Sequence, residues 1–275
     1  MVTFIISIKH YDNSHCYENT WKLLENTLDS INNQSDSDYN IIVVSNKTLR
    51  DYPGVNFIEL DWEAPTIDDW QISDETVDKA NCVQMNNIRL DRGTKHVMAL
   101  REARQMTNDD HFVMFVDGDD FIHKDVALFA NNNLHADMIR VYNGIKLGVD
   151  NTYKFRDRFN YICGTCNIIK INAIADPINF GIIQNDTQEE VLKSVDDYYL
   201  KMILGSHKFM YKHFVEYNEL IGVDIPFPAA VYNCSHNEQH SGQVDEVHSS
   251  KLTNEQIKNF NIKYIYVNEI TGTYK

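Results

Sequence analysis

Asp117, Asp119 and Asp120 close the stretch FVMFVDGDD, immediately after a run of apolar residues. Carboxylates held this close repel and raise one another's pKa unless something positive sits among them. Their oxygens suit hard divalent cations such as Mg²⁺ and Mn²⁺. A cation that also holds two phosphates cancels the repulsion and makes a diphosphate a better leaving group. Asp-x-Asp where a buried strand surfaces therefore fits a nucleotide-diphosphate site. It fits a solvated acidic turn equally well, because Asp and Gly are turn formers.

The elements that must position these residues follow from periodicity. Val2–Ile8 is a short apolar run, expected to be a first buried strand. Trp21, Leu24, Leu28 and Ile31 recur at helical spacing. YNIIVVSNK is a second buried strand of β-branched residues, and VNFIELD after Pro53-Gly54 is a third. Strand, helix and strand at this spacing predict a βαβ unit with a parallel sheet. Residues 61 to 90, with Trp62, Pro65, Asp68 and Asp69, keep no clean period and read as a long loop with a short helix. From DRGTKHVMALREARQM a helix is expected, opened by Gly93. HFVMFV is the next strand, and the carboxylates lie at its C-terminal end, where ligands gather in open α/β sheets.

The second half reads as strands over DMIRVYN and YICGTCNIIKI, then one helix over QEEVLKSVDDYYLKMIL. PFPAAVYNCSHNEQHSG is a strand running into a polar loop. TNEQIKNF carries a capping-box pattern, Thr253 with Gln256, and IKYIYVN reads as a last strand.

The chain has 275 residues, enough for one large domain or one domain with an appendage. Its formal charge of −15 argues against a nucleic-acid partner, since that affinity comes from Lys and Arg neutralising phosphates. A nucleotide, neutralised locally by a metal, is not excluded. MVTFIISI is too short to span a bilayer and lacks a basic lead and a cleavage site, so a cytoplasmic setting without a transmembrane segment is expected. Five cysteines, an odd number, do not suggest a secreted disulfide scaffold.

In this order FIISIKHYDNS, IIVVSNK, DRGTKHVMALREAR and FVMFVDGDD resemble the GT-A glycosyltransferases, particularly the broad family 2 group. The resemblance covers residues 2 to 125 well and runs more loosely to about 242. It implies an α/β, Rossmann-like mixed sheet flanked by helices over residues 1–242. Residues 243–275 form a C-terminal extension of helix plus strand, covering the acceptor side or forming a homodimer contact. It implies a metal-dependent glycosyltransferase, hexosyltransferase-like and inverting. The donor would be a UDP- or GDP-sugar with Mn²⁺ or Mg²⁺, and the acceptor a glycan, lipid-linked or protein hydroxyl.

Residue by residue, the resemblance makes Asp119 a metal ligand and gives Asp117 the metal or the ribose. Asp120 shapes the turn. Asp197, the second acid of SVDDYY, inherits the general-base role, although Asp196 and Asp197 equally suit a helix N-terminus. His236, spaced from Tyr232, is the third metal ligand, with His240 as fallback; a neutral imidazole suits that place, and so does a plain surface role. Ser7, Lys9, Asn46, Asp91, Lys95, Asp117 and Gly118 are the nucleotide-binding set. Lys95 is either a phosphate contact or a solvated helix residue, with Arg92 as the alternative. Gly164 and Thr165 permit close approach of the sugar.

The chain departs from the family where Lys9 and His10 replace the usual Pro. The second strand also ends in Ser45-Asn46 rather than acids. Asn46 could still bond a pyrimidine edge.

Other readings remain in view. Cys163 and Cys166 have C-x₂-C spacing, and Cys234 with His236 would complete a zinc set. A haloacid-dehalogenase-type phosphotransferase also uses D-x-D, but on its first strand. A sugar nucleotidyltransferase needs a Gly-rich N-terminal loop, and ISIKHYDNS has no Gly. A catalytically degenerate GT-A domain that binds a glycan or a protein is the main alternative.

Overall fold

The structure is a computed structural model, and it describes residues 1–66, 83–107, 110–148, 152–236, 238 and 250–262. The first half runs β1 (Val2–Ser7), α1 (Tyr17–Ile31), β2 (Tyr39–Ser45), β3 (Val55–Glu59), α2 (Val83–Met106), β4 (Phe112–Asp117) and β5 (Phe121–Ile122). The second runs α3 (Val126–Asn131), β6 (Met138–Arg140), β7 (Gly144–Leu147), β8 (Thr152–Arg156), β9 (Asn167–Lys170), α4 (Ile171–Ala175) and α5 (Gln188–Ser194). After a π-helical segment, Tyr199–Leu204, come α6 (His207–Tyr211), β10 (Gly222–Asp224), β11 (Ala230–Asn233), β12 (Ser250–Lys251) and α7 (Asn254–Phe260).

The main sheet has seven strands in the order β10-β6-β9-β4-β1-β2-β3. Strands β3, β2, β1 and β4 are mutually parallel, while β9 runs antiparallel between β4 and β6. A second sheet, β12-β8-β7-β11-β5, lies beyond it. The chain leaves the main sheet at Asp117 and enters the second at Phe121. The three carboxylates therefore sit at the passage between the sheets.

Period-two alternation builds two cores from the same strands. Phe4, Ile6, Ile41, Val43, Met114 and Val116 join the α1 side, while Ile5, Ile42, Val44, Val113 and Phe115 join the α2 side. A sheet buried on both faces reads as continuous apolar runs, which is why its parallel strands were legible. Trp21, Leu24, Leu28 and Ile31 are at most 1% exposed, as their spacing predicts. Burial of each such side chain contributes about 1.5–3 kcal/mol. The expected capping box is present: Thr253 Oγ1 accepts from the Gln256 N–H and Gln256 Oε1 from the Thr253 N–H. Phe260 and Ile262 pack with Phe121, Ile145, Leu147 and Val231 on the second sheet. Asp68, Asp69, His240 and the IKYIYVN strand lie outside the described residues.

Three expectations are corrected. First, α2 begins at Val83, so Gly93 lies inside the helix and does not open it. A Cβ on Gly93 would sit 2.4 Å from the Leu200 carbonyl oxygen, and one on Gly205 would sit 2.2 Å from that of Arg89. The two glycines let α2 and the Tyr199–Leu204 segment cross with their backbones nearly touching. Second, the helix expected over QEEVLKSVDDYYLKMIL is broken at Val195, whose φ of −150° and ψ of 151° are extended. Asp196 Oδ1 then accepts from the Tyr198 and Tyr199 N–H groups and starts the next segment. Third, in YICGTCNIIKI only Asn167–Lys170 is strand, and Phe159–Tyr161 is a 3₁₀ turn.

Gly93→Ala is expected to cost about 1–3 kcal/mol by overpacking this crossing. Urea unfolding measures it, and a midpoint equal to that of the unsubstituted protein would show that the backbones do not pack this closely.

Candidate active site

Ser7 and Asp117 are register partners at the C-terminal ends of β1 and β4. Strand order reverses between these two strands, so a crevice is expected there. A cavity of about 340 Å³ occupies it, lined by Ser7, Lys9, Asp91, Asp117, Gly118 and Asp119 among others. Six of the residues expected from the sequence therefore meet at one place.

Each of the three carboxylates has its own compensation. Asp117 Oδ1 accepts from the Arg92 guanidinium and Oδ2 from the Gly164 N–H at 3.1 Å. Burial still pushes the Asp117 carboxyl up; Arg92 pulls against it, and Asp119 adds to the rise. Asp119 Oδ2 lies 3.1 Å from His236 Nε2. Burial alone would raise Asp119, but His236 and the Lys9 charge outweigh it and hold that carboxyl below the ordinary range. Asp120 is fully buried. Its Oδ2 accepts from the Thr165 hydroxyl and the Cys163 thiol, and its Oδ1 from the Asn233 N–H. Burial, with Asp119 and Asp117 nearby, pushes the Asp120 carboxyl well up.

These environments separate the residues by what they can hold. Asp117, Asp120 and Cys163 bring ligand atoms within 4.8 Å of one another. Both Asp120 oxygens are already bonded, however, and burial with the adjacent Asp120 and Asp117 pushes the Cys163 thiol well up. Asp120 and Cys163 are thus a buried brace for the turn, and the Cys163–Cys166 zinc reading loses its ligand with them. Asp119 and His236 differ. His236 is 2% exposed, and its Nε2 lies 3.1 Å from Asp119 Oδ2, close enough to pair with it. About 3 Å is also the separation of adjacent ligands on an octahedron with bonds near 2.1 Å. A buried imidazole nitrogen at ligand spacing from a cavity-facing carboxylate fits a divalent cation, and Asp117 faces the same cavity.

The remaining expected residues take different places. Lys95 is fully buried; its Nζ donates to the Ile8 carbonyl and to Asp91 Oδ2, both at 2.8 Å. It ties α2 to the end of β1 and does not line the cavity, whereas the alternative cation, Arg92, does. Asn46 is also outside the lining: its amide donates to the Leu60 and Trp62 carbonyls. Ser7 is held by His96 Nε2 at 3.2 Å, and Lys9 by Glu238. A Cβ on Gly164 would sit 2.3 Å from Asp117 Oδ2 and 2.5 Å from Arg92 Nη2, so glycine lets this pair keep its place. Asp197 does not join the group. Its side chain is 70% exposed and pairs with Lys201 at 2.8 Å, one helical turn away.

Two features of the site escaped the sequence reading. Glu238 accepts from Lys9, Ser14 and the N–H groups of His15 and Cys16, clamping the first loop from 229 positions away in the case of Lys9. No local pattern marks that pairing. The far wall is formed by Gly205, Ser206, His207 and Lys208 with Arg89. It exists only because the helices cross at Gly93 and Gly205. Burial, with Arg92, Lys208 and Arg89 nearby, pushes the His207 imidazole down to about 3.

No family model matches this chain, and no curated protein matches it. Solved structures do resemble it. S. aureus TarS 1–349 is 12% identical with a TM-score of 0.43, over 85% of this chain and 60% of that one. The galactosyltransferase LgtC, in complex with donor and acceptor sugar analogues, is 9% identical with a TM-score of 0.35, over 100% of this chain and 98% of that one. 4-Diphosphocytidyl-2C-methyl-D-erythritol synthase is 13% identical with a TM-score of 0.33, over 74% and 84%. The chain thus spans less than two thirds of TarS 1–349. The topology carries the fold class: parallel β3-β2-β1-β4, with the Asp-x-Asp turn beginning at the end of β4 and a second sheet beyond, is a mixed α/β arrangement flanked by helices, as expected from the motif order. Among the described residues no helix is long and apolar enough to cross a membrane.

A pH dependence follows from His207. The unfolded chain protonates it near about 6.5, whereas the folded chain holds it neutral to about 3. Between these values the unfolded state binds more protons, so stability falls as pH drops. His207→Gln is expected to flatten that fall in urea unfolding followed from neutral pH downwards. The fully buried His96, also pushed down by burial, leaves part of the slope in place. An unchanged slope would show that His207 titrates normally in the folded protein.

Proposed function

We propose that this chain is a metal-dependent glycosyltransferase that moves a sugar from a nucleotide-diphosphate donor to an acceptor hydroxyl. The observation that carries the reading is the Asp119–His236 pair. A buried imidazole nitrogen stands 3.1 Å from a carboxylate at the switch point of the sheet, and that carboxylate lines a cavity together with Asp117, Arg92 and Ser7. In this reading Asp119 and His236 hold Mn²⁺ or Mg²⁺, with Asp117 completing the protein ligands. The cation's contribution is to carry charge on the diphosphate as it leaves.

The chain's own groups supply the rest. Arg92 adds a fixed guanidinium beside the diphosphate position. Ser7, Lys9 and Asp91 border the nucleotide, and a UDP- or GDP-sugar is the donor class. The bond from the anomeric carbon to the phosphate oxygen breaks as the acceptor oxygen bonds to that carbon. The hydroxyl proton passes to a base, and the nucleoside diphosphate departs.

The inverting course implied by the resemblance asks for a carboxylate at the acceptor hydroxyl. Asp197, exposed and paired with Lys201, stands away from the cavity lining. Its position favours the second reading, a catalytically degenerate domain of the same fold that binds a nucleotide-sugar or a glycan without transfer.

Calorimetry with UDP and GDP, with and without Mn²⁺, tests the metal site. Metal-dependent binding of one nucleotide is expected, and Asp119→Ala should abolish its metal dependence. Absence of binding with metal present would sink the proposal. Hydrolysis or transfer of the bound donor then separates the enzyme from the binding module.

Gly164→Ala should displace the Asp117–Arg92 pair and weaken Mn²⁺ about tenfold or more, since misplaced supporting groups typically cost that much. Electron paramagnetic resonance of free Mn²⁺ reads this affinity. Unaltered affinity would remove Asp117 from the metal set.

A further inference from the structure

Beyond the Phe159–Tyr161 turn lies a second cavity of about 450 Å³, lined by Arg156, Asp157, Arg158, Tyr161 and Ile162. Ile162 lines both cavities. His207, on the wall of the first, hydrogen-bonds the backbone of Tyr161, in the second. The two spaces are therefore neighbours across one side chain.

Acids outnumber cations in this chain, 40 Asp and Glu against 25 Lys and Arg. Of its eight arginines, Arg50, Arg92, Arg101 and Arg140 pair with a carboxylate. Among the described residues Arg156 and Arg158 form no ion pair, although Asp157 stands between them. Arg156 Nε is buried without any hydrogen-bond partner. A donor left without an acceptor is destabilising, so a ligand that supplies one is favoured. Arg158 is held at a φ of 48°, in the left-handed region. Tyr161 is 58% exposed and offers an aromatic face of the kind on which a sugar ring packs.

We propose that this cavity is the acceptor subsite and that it takes a glycan bearing carboxylate or phosphate groups. The word acceptor rests on the transferase reading above; the anion preference rests on the two arginines alone. Their planar guanidinium groups grip a carboxylate or phosphate with paired N–H donors. The uncharged part of the glycan lies on Tyr161, and its reacting hydroxyl reaches past Ile162 towards the Asp119 side.

The test uses three fluorescent hexasaccharides followed by anisotropy: a hyaluronan fragment carrying carboxylates, maltohexaose phosphorylated on primary hydroxyls, and plain maltohexaose. At least one anionic probe is expected to bind about tenfold tighter than the neutral one, the sum of two exposed charge contacts of about 0.7 kcal/mol each. Whichever anionic probe wins identifies the chemical source. Arg156→Gln/Arg158→Gln should erase that preference while Mn²⁺-dependent nucleotide binding persists, which also shows the variant is folded. If the double variant does not fold, Arg158→Gln alone, at an exposed position, should lose part of the preference. Equal binding of the neutral probe, or a preference that survives the substitutions, overturns the subsite. Failure of nucleotide binding with the anion preference intact would overturn the transferase reading instead and leave the anion site standing.

Discussion

Mutual repulsion among Asp117, Asp119 and Asp120 is the constraint around which this structure is arranged. Three carboxylates at one strand end can coexist only if each has a separate compensation. A guanidinium from α2 serves Asp117, an imidazole from the segment after β11 serves Asp119, and a closed bundle of donors from the β9 approach and β11 serves Asp120. Each partner comes from a different part of the chain. Satisfying the acidic turn therefore obliges α2, β9 and β11 to converge on the end of β4. The fold and the site are two consequences of one electrostatic requirement.

Helix α2 carries most of that convergence. Arg92 points into the cavity, while Lys95 and His96, completely or almost completely buried, fix the helix to its surroundings. Lys95 reaches the Ile8 carbonyl at the end of β1. His96 reaches Ser7 on one side and the Leu204 carbonyl on the other, and it stacks on Phe115. Burying an ammonium is costly unless it is paired and hydrogen-bonded, and Asp91 and the Ile8 carbonyl supply the pair and a second acceptor here. Charged residues that a surface reading assigns to solvent are thus structural, and residues 93–100 of the helix are buried on every side. That is why this part of α2 shows no clear amphipathic stripe.

The site mixes residues that were legible with residues that were not. Asp117, Gly118 and Asp119 follow from a local pattern, an apolar strand ending in acids, and the structure places them together with Ser7, Lys9 and Asp91. His236 was singled out among eleven histidines by its spacing from Tyr232, and its closeness to Asp119 comes with β11 joining β5 in the second sheet. Lys95 and Asn46 have suitable chemistry, yet their side chains are spent on backbone carbonyls. Asp197 sits in an acidic pair that starts a helical segment, but that segment begins after an extended break and carries Asp197 to the surface.

By itself the sequence determined what depends on neighbours along the chain. Continuous apolar runs and helical apolar spacing defined the strands of the parallel sheet, α1 and the capped α7. The acidic turn marked the C-terminal end of β4. Tertiary structure alone decided which charges meet. The Arg92–Asp117 pair, the Asp119–His236 pair and the Glu238 clamp on the first loop all join residues distant in sequence. The reason is range. Periodicity is a property of adjacent residues. Electrostatic compensation depends on distance in space, and close crossings such as Gly93 against Leu200 set that distance.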